Sequence, residues 1–346
     1  MKNNFANFVN KTISLSMKMN KNVICFGLGV TDPKGVFGTT VNLEKKFGSA
    51  RVFDVPASEN SLTGMSIGAS MLGTIPILTH QRLDFALLSL DQIINNAAKW
   101  HYLYGGQINI PITIRMITGR GWGQGPTHSQ NLQALFTHIP GLKVVMPSLI
   151  DDLPTLLLSS IFDKNPVIFI ENRWLHFSET KKKFKPSIKP LPYHRKILSG
   201  KNITIICYSY MTIEVIKASK ILKKEFKVDV EIIDLVCLNP IKEKILTDSI
   251  IKTKNLLLVD TSYITGSFSS NLLAKLSKLE YENKPQILAM PDFPEPTSSF
   301  MTKNFYNDYI SVINKTLDTL KIKKRFKVSQ NNYVHDKPVD YYMGPF

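Results

Sequence analysis

Short apolar runs alternate with longer stretches in helical spacing through most of this chain. NVICFGLGVT (21–30) is an apolar run ending in glycines and predicts a strand. KGVFGTTVNLEKKFG has helical spacing and stops at Gly48, a C-cap signal. RVFDVP predicts a second strand, broken by Pro56. Ser58-Glu59-Asn60 then opens a small-residue helix, SLTGMSIGASMLG. Gly64, Gly68 and Ala69 are expected to let that helix approach a neighbour closely. IPILTH predicts a third strand, LLSLDQIINNAAKWHYLYGG a strong amphipathic helix, and PITIRMI, KVVMP and PVIFIEN three further strands. DDLPTLLLSSIF is the helix between the last two. Strands separated by helices imply parallel βαβ units.

The pattern lapses after Asn172 and restarts at ITIICYS. From there TIEVIKASKILKKEF, VDVEIIDL, IKEKILTDSIIKT, NLLLVDTS, SFSSNLLAKLSKL, QILAM and YISVINKTLDTL alternate helix and strand. The organisation expected is an N-terminal extension over 1–20, an α/β domain over 21–175, a basic linker over 176–201, a smaller α/β domain over 202–322 and a polar tail over 323–346. The chain's 346 residues agree with two domains at roughly 150 residues each.

Composition narrows the classes. Hydrophobic residues are 43% and charged residues 20%, which excludes a mainly disordered chain. Cys25, Cys207 and Cys237 each lie in an apolar run without metal-ligand spacing and read as small buried hydrophobes. Scattered cysteines fit a reducing compartment, and the first residues lack a signal peptide's apolar stretch, so a cytoplasmic protein with no membrane contact is expected. The net charge of +16 could suggest a polyanion. Much of the excess falls in 179–201 and 321–327, without a nucleic-acid fold signature or interleaved aromatics, so no nucleic-acid partner is expected.

Three segments could carry chemistry. GRGWGQGPTHSQ (119–130) is a glycine-rich loop between strand and helix that can bring backbone N–H groups and the His128 imidazole to a ligand. It lacks the Gly-Lys-Ser/Thr ending of a phosphate loop, and GLGVTDPKG lacks dinucleotide-loop spacing. Glu59 stands at a helix start, where a glutamate can be a capping charge alone. His80-Gln81-Arg82 follows a strand end, where α/β folds place ligands or simply turn the chain in solvent.

RVFDVPASENSLTGMSIGASMLG, LDFALLSLDQIINNAAKWHYLYGG, GPTHSQ, PGLKVVMP and NPVIFIEN occur in that order. Together they resemble the beta subunit of thiamine-diphosphate-dependent 2-oxoacid dehydrogenases, over about residues 20–320. The resemblance implies a pyrimidine-binding domain followed by a transketolase-type C-terminal domain. It implies that Glu59 hydrogen-bonds the cofactor's aminopyrimidine and so promotes loss of the thiazolium proton. It implies that Phe85 stacks on that ring and that His128 is an acid/base group near the reacting carbon. Gln92 falls in a partner-facing helix. A potassium ion is implied at the backbone carbonyls of Ile112, Ser160, Ile161, Asp163 and Asn165.

The chain contains no Gly-Asp dipeptide, whereas this superfamily holds the diphosphate and Mg²⁺ with a Gly-Asp-Gly motif. The resemblance therefore implies an alpha-type partner carrying that half-site, an α₂β₂ heterotetramer, and a lipoyl acyltransferase as the default acceptor. Leu28 replaces a common family glutamate, and THQRLDF is more polar than usual. His80 and Arg82 are thus expected to favour a polar or anionic substrate. A transketolase-like carboligase acting on a sugar or aldehyde, or a non-catalytic partner subunit, are the competing readings. The terminal YYMGPF has no assigned role.

Overall fold

A computed structural model describes residues 3–328 of the chain, so the YYMGPF ending lies outside the described residues. The elements are α1 (Phe5–Met19), β1 (Val23–Phe26), α2 (Leu43–Phe47), β2 (Val52–Phe53), α3 (Glu59–Met71), β3 (Ile75–His80), α4 (Leu83–Ala86), α5 (Ala98–Leu103), β4 (Thr113–Thr118), α6 (Gln133–Thr137), β5 (Lys143–Val145), α7 (Leu153–Ile161) and β6 (Val167–Asn172). They continue with β7 (Arg195–Leu198), β8 (Ile203–Cys207), α8 (Met211–Phe226), β9 (Val230–Asp234), β10 (Cys237–Asn239), α9 (Lys244–Thr253), β11 (Leu256–Tyr263), α10 (Phe268–Leu276), β12 (Gln286–Met290), α11 (Ser299–Thr302) and α12 (Tyr309–Thr319). The chain forms two compact units. Of the described residues, the first gathers those up to Gly119, Leu135–Leu191 and Cys237–Pro240; the second gathers Arg120–Ala134, Pro192–Val236 and those from Ile241 onward.

The first unit is built on a seven-stranded sheet of order β10-β5-β6-β4-β3-β1-β2. It is parallel except for β10, which runs antiparallel to β5. Strands β4 and β6 are buried along their whole length, as sheets covered on both faces require.

Helix α1 takes the place of the expected N-terminal extension. Phe5, Phe8, Val9, Ile13 and Met17 repeat at helical spacing and are all buried. The Asn4 side chain caps the helix, accepting from the Asn7 N–H at 2.9 Å. The helix packs against α7. The segment that follows β6 is tied back to it, since the Phe5 N–H donates to the Ser178 carbonyl at 3.0 Å and the Thr180 N–H to the Asn3 carbonyl at 2.9 Å.

Two expected helices are altered. The run 34–48 is helical only over Leu43–Phe47. Gly35, Phe37, Gly38 and Asn42 all take left-handed backbone angles, which a right-handed helix cannot propagate through. The long helix expected over 87–106 is broken into a tight turn over Leu87–Ser89, a π-helical stretch over Gln92–Ala97, and α5.

The second unit has a five-stranded sheet of order β12-β11-β8-β9-β7, parallel except for β7 against β9. The end of the expected basic linker is therefore strand β7. Its Lys196 and the Lys252 of α9 both pair with the fully buried Glu231 carboxylate of β9. The three cysteines are buried, and burial raises the Cys25 thiol to about 11.

Candidate functional site

Strands β1 and β3 are parallel neighbours, and a cleft opens at their carboxyl ends. Its lining includes Gly27, Glu59, Thr79, His80, Gln81 and Phe85. This is the edge at which parallel sheets bind ligands. The local sequence explains the opening. A Cβ on Gly27 would lie 2.1 Å from the Thr79 carbonyl oxygen, so only glycine lets the two strand ends come this close. The Gln81 Nε2 donates to the Leu28 carbonyl at 3.0 Å and clasps the loops together. Asp54 Oδ1 accepts from the N–H groups of Gly29 and Val55 at 2.9 and 2.7 Å, ordering the chain after β2.

Glu59 is the first residue of α3 and is half-buried. Its carboxylate makes no hydrogen bond among the described residues, although the helix N-terminus favours its negative charge. Phe85, half-buried on α4, lines the same cleft. So does His80, which ends β3 and is 5% exposed. The His80 ring makes no hydrogen bond among the described residues, and its Nε2 is fully enclosed. Burial pushes its pKa down to about 4, so the imidazole is neutral at pH 7.

Arg82 is not among the residues lining this cleft. It is buried, with its guanidinium 4.7 Å from the centre of the Phe37 ring. The Arg173 guanidinium lies 4.6 Å from the same ring. Gly64 faces Gln92: a Cβ there would stand 3.1 Å from the Gln92 Oε1, whereas Gly68 meets nothing within 4 Å. Only the first of these two glycines serves close packing within the chain.

Behind the cleft lies a polar network. Arg115 Nε donates to Glu171 Oε1 at 2.7 Å, its Nη1 to the Thr79 hydroxyl at 3.3 Å and its Nη2 to the Thr39 hydroxyl at 3.2 Å. His176 Nε2 is 3.0 Å from Glu171 Oε2, and the ring of Phe5 stacks on His176 at 5.4 Å. Burial opposes ionisation of Glu171, but Arg115 and His176 outweigh it and hold the carboxyl at about 2. Burial also lowers His176 to about 4, against the pull of Glu171. Nothing in the sequence pattern flagged this network, since Arg115 and Glu171 lie far apart along the chain in runs that read as plain core strands.

His128 belongs to the second unit, just after the short turn Gly125–Thr127. Its Nδ1 is 2.9 Å from the Thr127 hydroxyl. The glycine-rich loop around it is pinned in place. Gly123 N–H donates to the Thr297 carbonyl at 2.9 Å. Arg120 lies 5.0 and 5.1 Å from the ring centres of Tyr210 and Tyr306 and donates to the Asn307 carbonyl at 2.8 Å. Farther along, Gln133 Nε2 donates to the Tyr208 hydroxyl at 2.9 Å and the Thr261 hydroxyl at 3.0 Å.

The positions implied for potassium meet at the turn after α7. The Thr113 hydroxyl donates to the Ser160 carbonyl at 3.0 Å, and the Val167 N–H donates to the Ile112 carbonyl at 2.9 Å. Lys143 Nζ is 2.5 Å from Asp163 Oδ2, and the Asn165 N–H donates to Asp163 Oδ1 at 2.9 Å. The Ser160 carbonyl also accepts from the Asp163 N–H at 3.3 Å. Among the described residues no three His, Cys, Asp or Glu side chains are grouped as metal ligands.

Comparison with known proteins identifies the family. Residues 2–176 match the pyrimidine-binding domain of transketolase, and residues 193–308 match the transketolase C-terminal domain. The pyruvate dehydrogenase E1 component subunit beta of Mesostigma viride is 34% identical, over 84% of this chain and 89% of its own. That of Rickettsia conorii is 33% identical, over 79% and 85%. The chain belongs to the E1 beta-subunit family. Cyanidium caldarium has a further E1 beta relative, 35% identical over 84% of this chain and 90% of its own. A solved structure titled a split gene transketolase, inactive beta4 tetramer, shares the fold with a TM-score of 0.76 at 19% identity, covering 93% of this chain and 100% of its own. The α/β fold expected of an E1 beta subunit, a pyrimidine-binding domain followed by a C-terminal domain, is therefore present. No helix of the described residues is long and apolar enough to cross a membrane.

Proposed function

We propose that this chain is the beta-type subunit of a thiamine-diphosphate-dependent 2-oxoacid dehydrogenase, and that the Glu59 cleft receives the cofactor's aminopyrimidine ring. The observation that carries this reading is a carboxylate with no hydrogen-bond partner among the described residues, sharing one cleft with an aromatic ring. The residues fit such a heterocycle. The Glu59 carboxyl can exchange a proton with a ring nitrogen at a charge-assisted hydrogen bond. Phe85 offers an apolar face to stack on, and Gly27 keeps the floor of the cleft free of side-chain atoms. Bound there, thiamine diphosphate supplies the carbon nucleophile and electron sink for loss of CO₂ from a 2-oxo acid. His128 is the acid/base group we assign to the second unit, with Thr127 orienting its Nδ1.

The diphosphate and its Mg²⁺ are held by an alpha-type partner, because this sequence has no Gly-Asp dipeptide with which to hold them. The assembly is an α₂β₂ heterotetramer that passes its acyl group to a lipoyl acyltransferase. Potassium is bound by the carbonyls of Ile112, Ser160, Ile161, Asp163 and Asn165, and serves as a structural ion.

The test is Glu59→Gln in the complex co-expressed with its alpha-type partner, assayed for 2-oxo acid decarboxylation with an artificial electron acceptor. Turnover falls by about 10²–10⁴-fold, with the melting temperature unchanged. Undiminished turnover would remove Glu59 from the reaction.

A further inference from the structure

We propose that His80 reads a hydroxyl group on the substrate, so that this subunit serves a 2-oxo acid carrying a hydroxyl on its side chain. The inference rests on the reading of the Glu59 cleft as the site that receives the cofactor's aminopyrimidine ring, and deepens it by setting the substrate beside that ring.

The polar side chains around the cleft are unequally engaged. The Thr79 hydroxyl accepts from Arg115, and the Gln81 amide donates to the Leu28 carbonyl. Glu59 and His80 remain without hydrogen-bond partners among the described residues. Glu59 is committed to the cofactor ring in the proposal above, which leaves His80. An imidazole that is 5% exposed and unbonded is a costly occupant of a strand end, where an apolar side chain would fill the same wall at no polar cost. Its retention there is explained by a ligand that completes it.

The chemistry of the ring selects that ligand. A neutral imidazole presents one N–H donor and one acceptor nitrogen. A hydroxyl also presents one donor and a pair of acceptor sites, so it can bond either nitrogen. A carboxylate only accepts, and would be held best by an imidazolium, a form that burial of His80 opposes. Arg82, the cation next along the chain, is directed to Phe37 and does not line the cleft. A methyl group would leave the imidazole buried and unpaired. Sites built to hydrogen-bond a hydroxyl discriminate strongly against analogues that lack it.

3-Hydroxypyruvate and pyruvate differ by this one hydroxyl and are the probes. In the co-expressed complex, kcat/KM for hydroxypyruvate exceeds that for pyruvate by about 10-fold or more. His80→Phe lowers kcat/KM for hydroxypyruvate by about 10–100-fold more than it lowers that for pyruvate. His80→Gln, which keeps a donor and an acceptor, recovers part of the preference. A wild-type complex that prefers pyruvate overturns the inference, whether or not either variant folds. So does a ratio unmoved by His80→Phe, or a loss confined to thiamine diphosphate affinity. Glu59→Gln separates the two claims. If it abolishes turnover while the ratio stays unmoved by His80→Phe, only the role of His80 falls; if turnover survives it, the reading of the cleft falls.

Discussion

Two buried histidines of the first unit share a chemistry and differ in company. His80 and His176 are both driven to a pKa of about 4 by burial. His176 has a carboxylate 3.0 Å from its Nε2 and an aromatic ring stacked on its face. It completes an Arg115–Glu171 pair that crosses from β4 to β6 and reaches Thr79 and Thr39. His80 has no such partner and borders an opening. His176 also encloses an Nδ1 without a partner, but its Nε2 rests on a carboxylate, which makes it structural; neither nitrogen of His80 is bonded among the described residues, which leaves it available for recognition. Burial alone separates neither case; the hydrogen-bond inventory does.

The comparison can be broken most forcefully at the engaged end. Glu171→Gln leaves the Arg115 cation buried without a countercharge and costs about 3–5 kcal/mol, read as a lowered urea midpoint. A loss under 1 kcal/mol would show that the network is not what holds β4 to β6. The next largest effect is a pH dependence that both histidines share. Each has a folded pKa of about 4 against an ordinary value of 6.5, so the unfolded chain binds more protons between those limits. Stability therefore falls as pH drops from 6.5 towards 4, by on the order of 3 kcal/mol for each imidazole. Glu171, depressed to about 2, adds a loss of the same sign from about 4.5 downwards. His80→Phe should flatten the slope of urea midpoint against pH between 7 and 5, and an unchanged slope would contradict the burial of a neutral His80. The smallest effect lies at the surface, where Lys182 pairs with Asp151 at 2.7 Å in solvent. Lys182→Ala should change stability by less than about 1 kcal/mol, which sets the baseline for the buried pair.

Much of the fold was legible because apolar periodicity reports which face of an element is buried. The strands ending at Phe26, His80 and Asn172 and the helix from Glu59 were readable from their runs. The N-terminal helix carries an equally clear repeat at Phe5, Phe8, Val9, Ile13 and Met17, interleaved with asparagines and lysines that give the segment the look of a polar extension. The truncated helix before Gly48 was not legible, since helical spacing does not announce the left-handed angles at Phe37 and Asn42. Strand β7 was hidden in a lysine-rich stretch because its pairing partner, β9, lies more than thirty residues away. Of the candidate site residues, Glu59 and Phe85 could be named from local motifs. Their sharing one cleft with His80, and the turning of Arg82 towards Phe37, could not.

The sequence by itself determined the two α/β halves, the glutamate at the head of α3, and the absence of a diphosphate-binding Gly-Asp pair. These depend on residue type and short spacing, which a linear chain states directly. Only the tertiary structure decided which polar groups are paired. Strand order brings Arg115 to Glu171 and Gly27 to Thr79, and hydrogen bonding depends on distances of about 3 Å between residues far apart in sequence. Whether a buried histidine braces the core or waits for a ligand is settled at that scale.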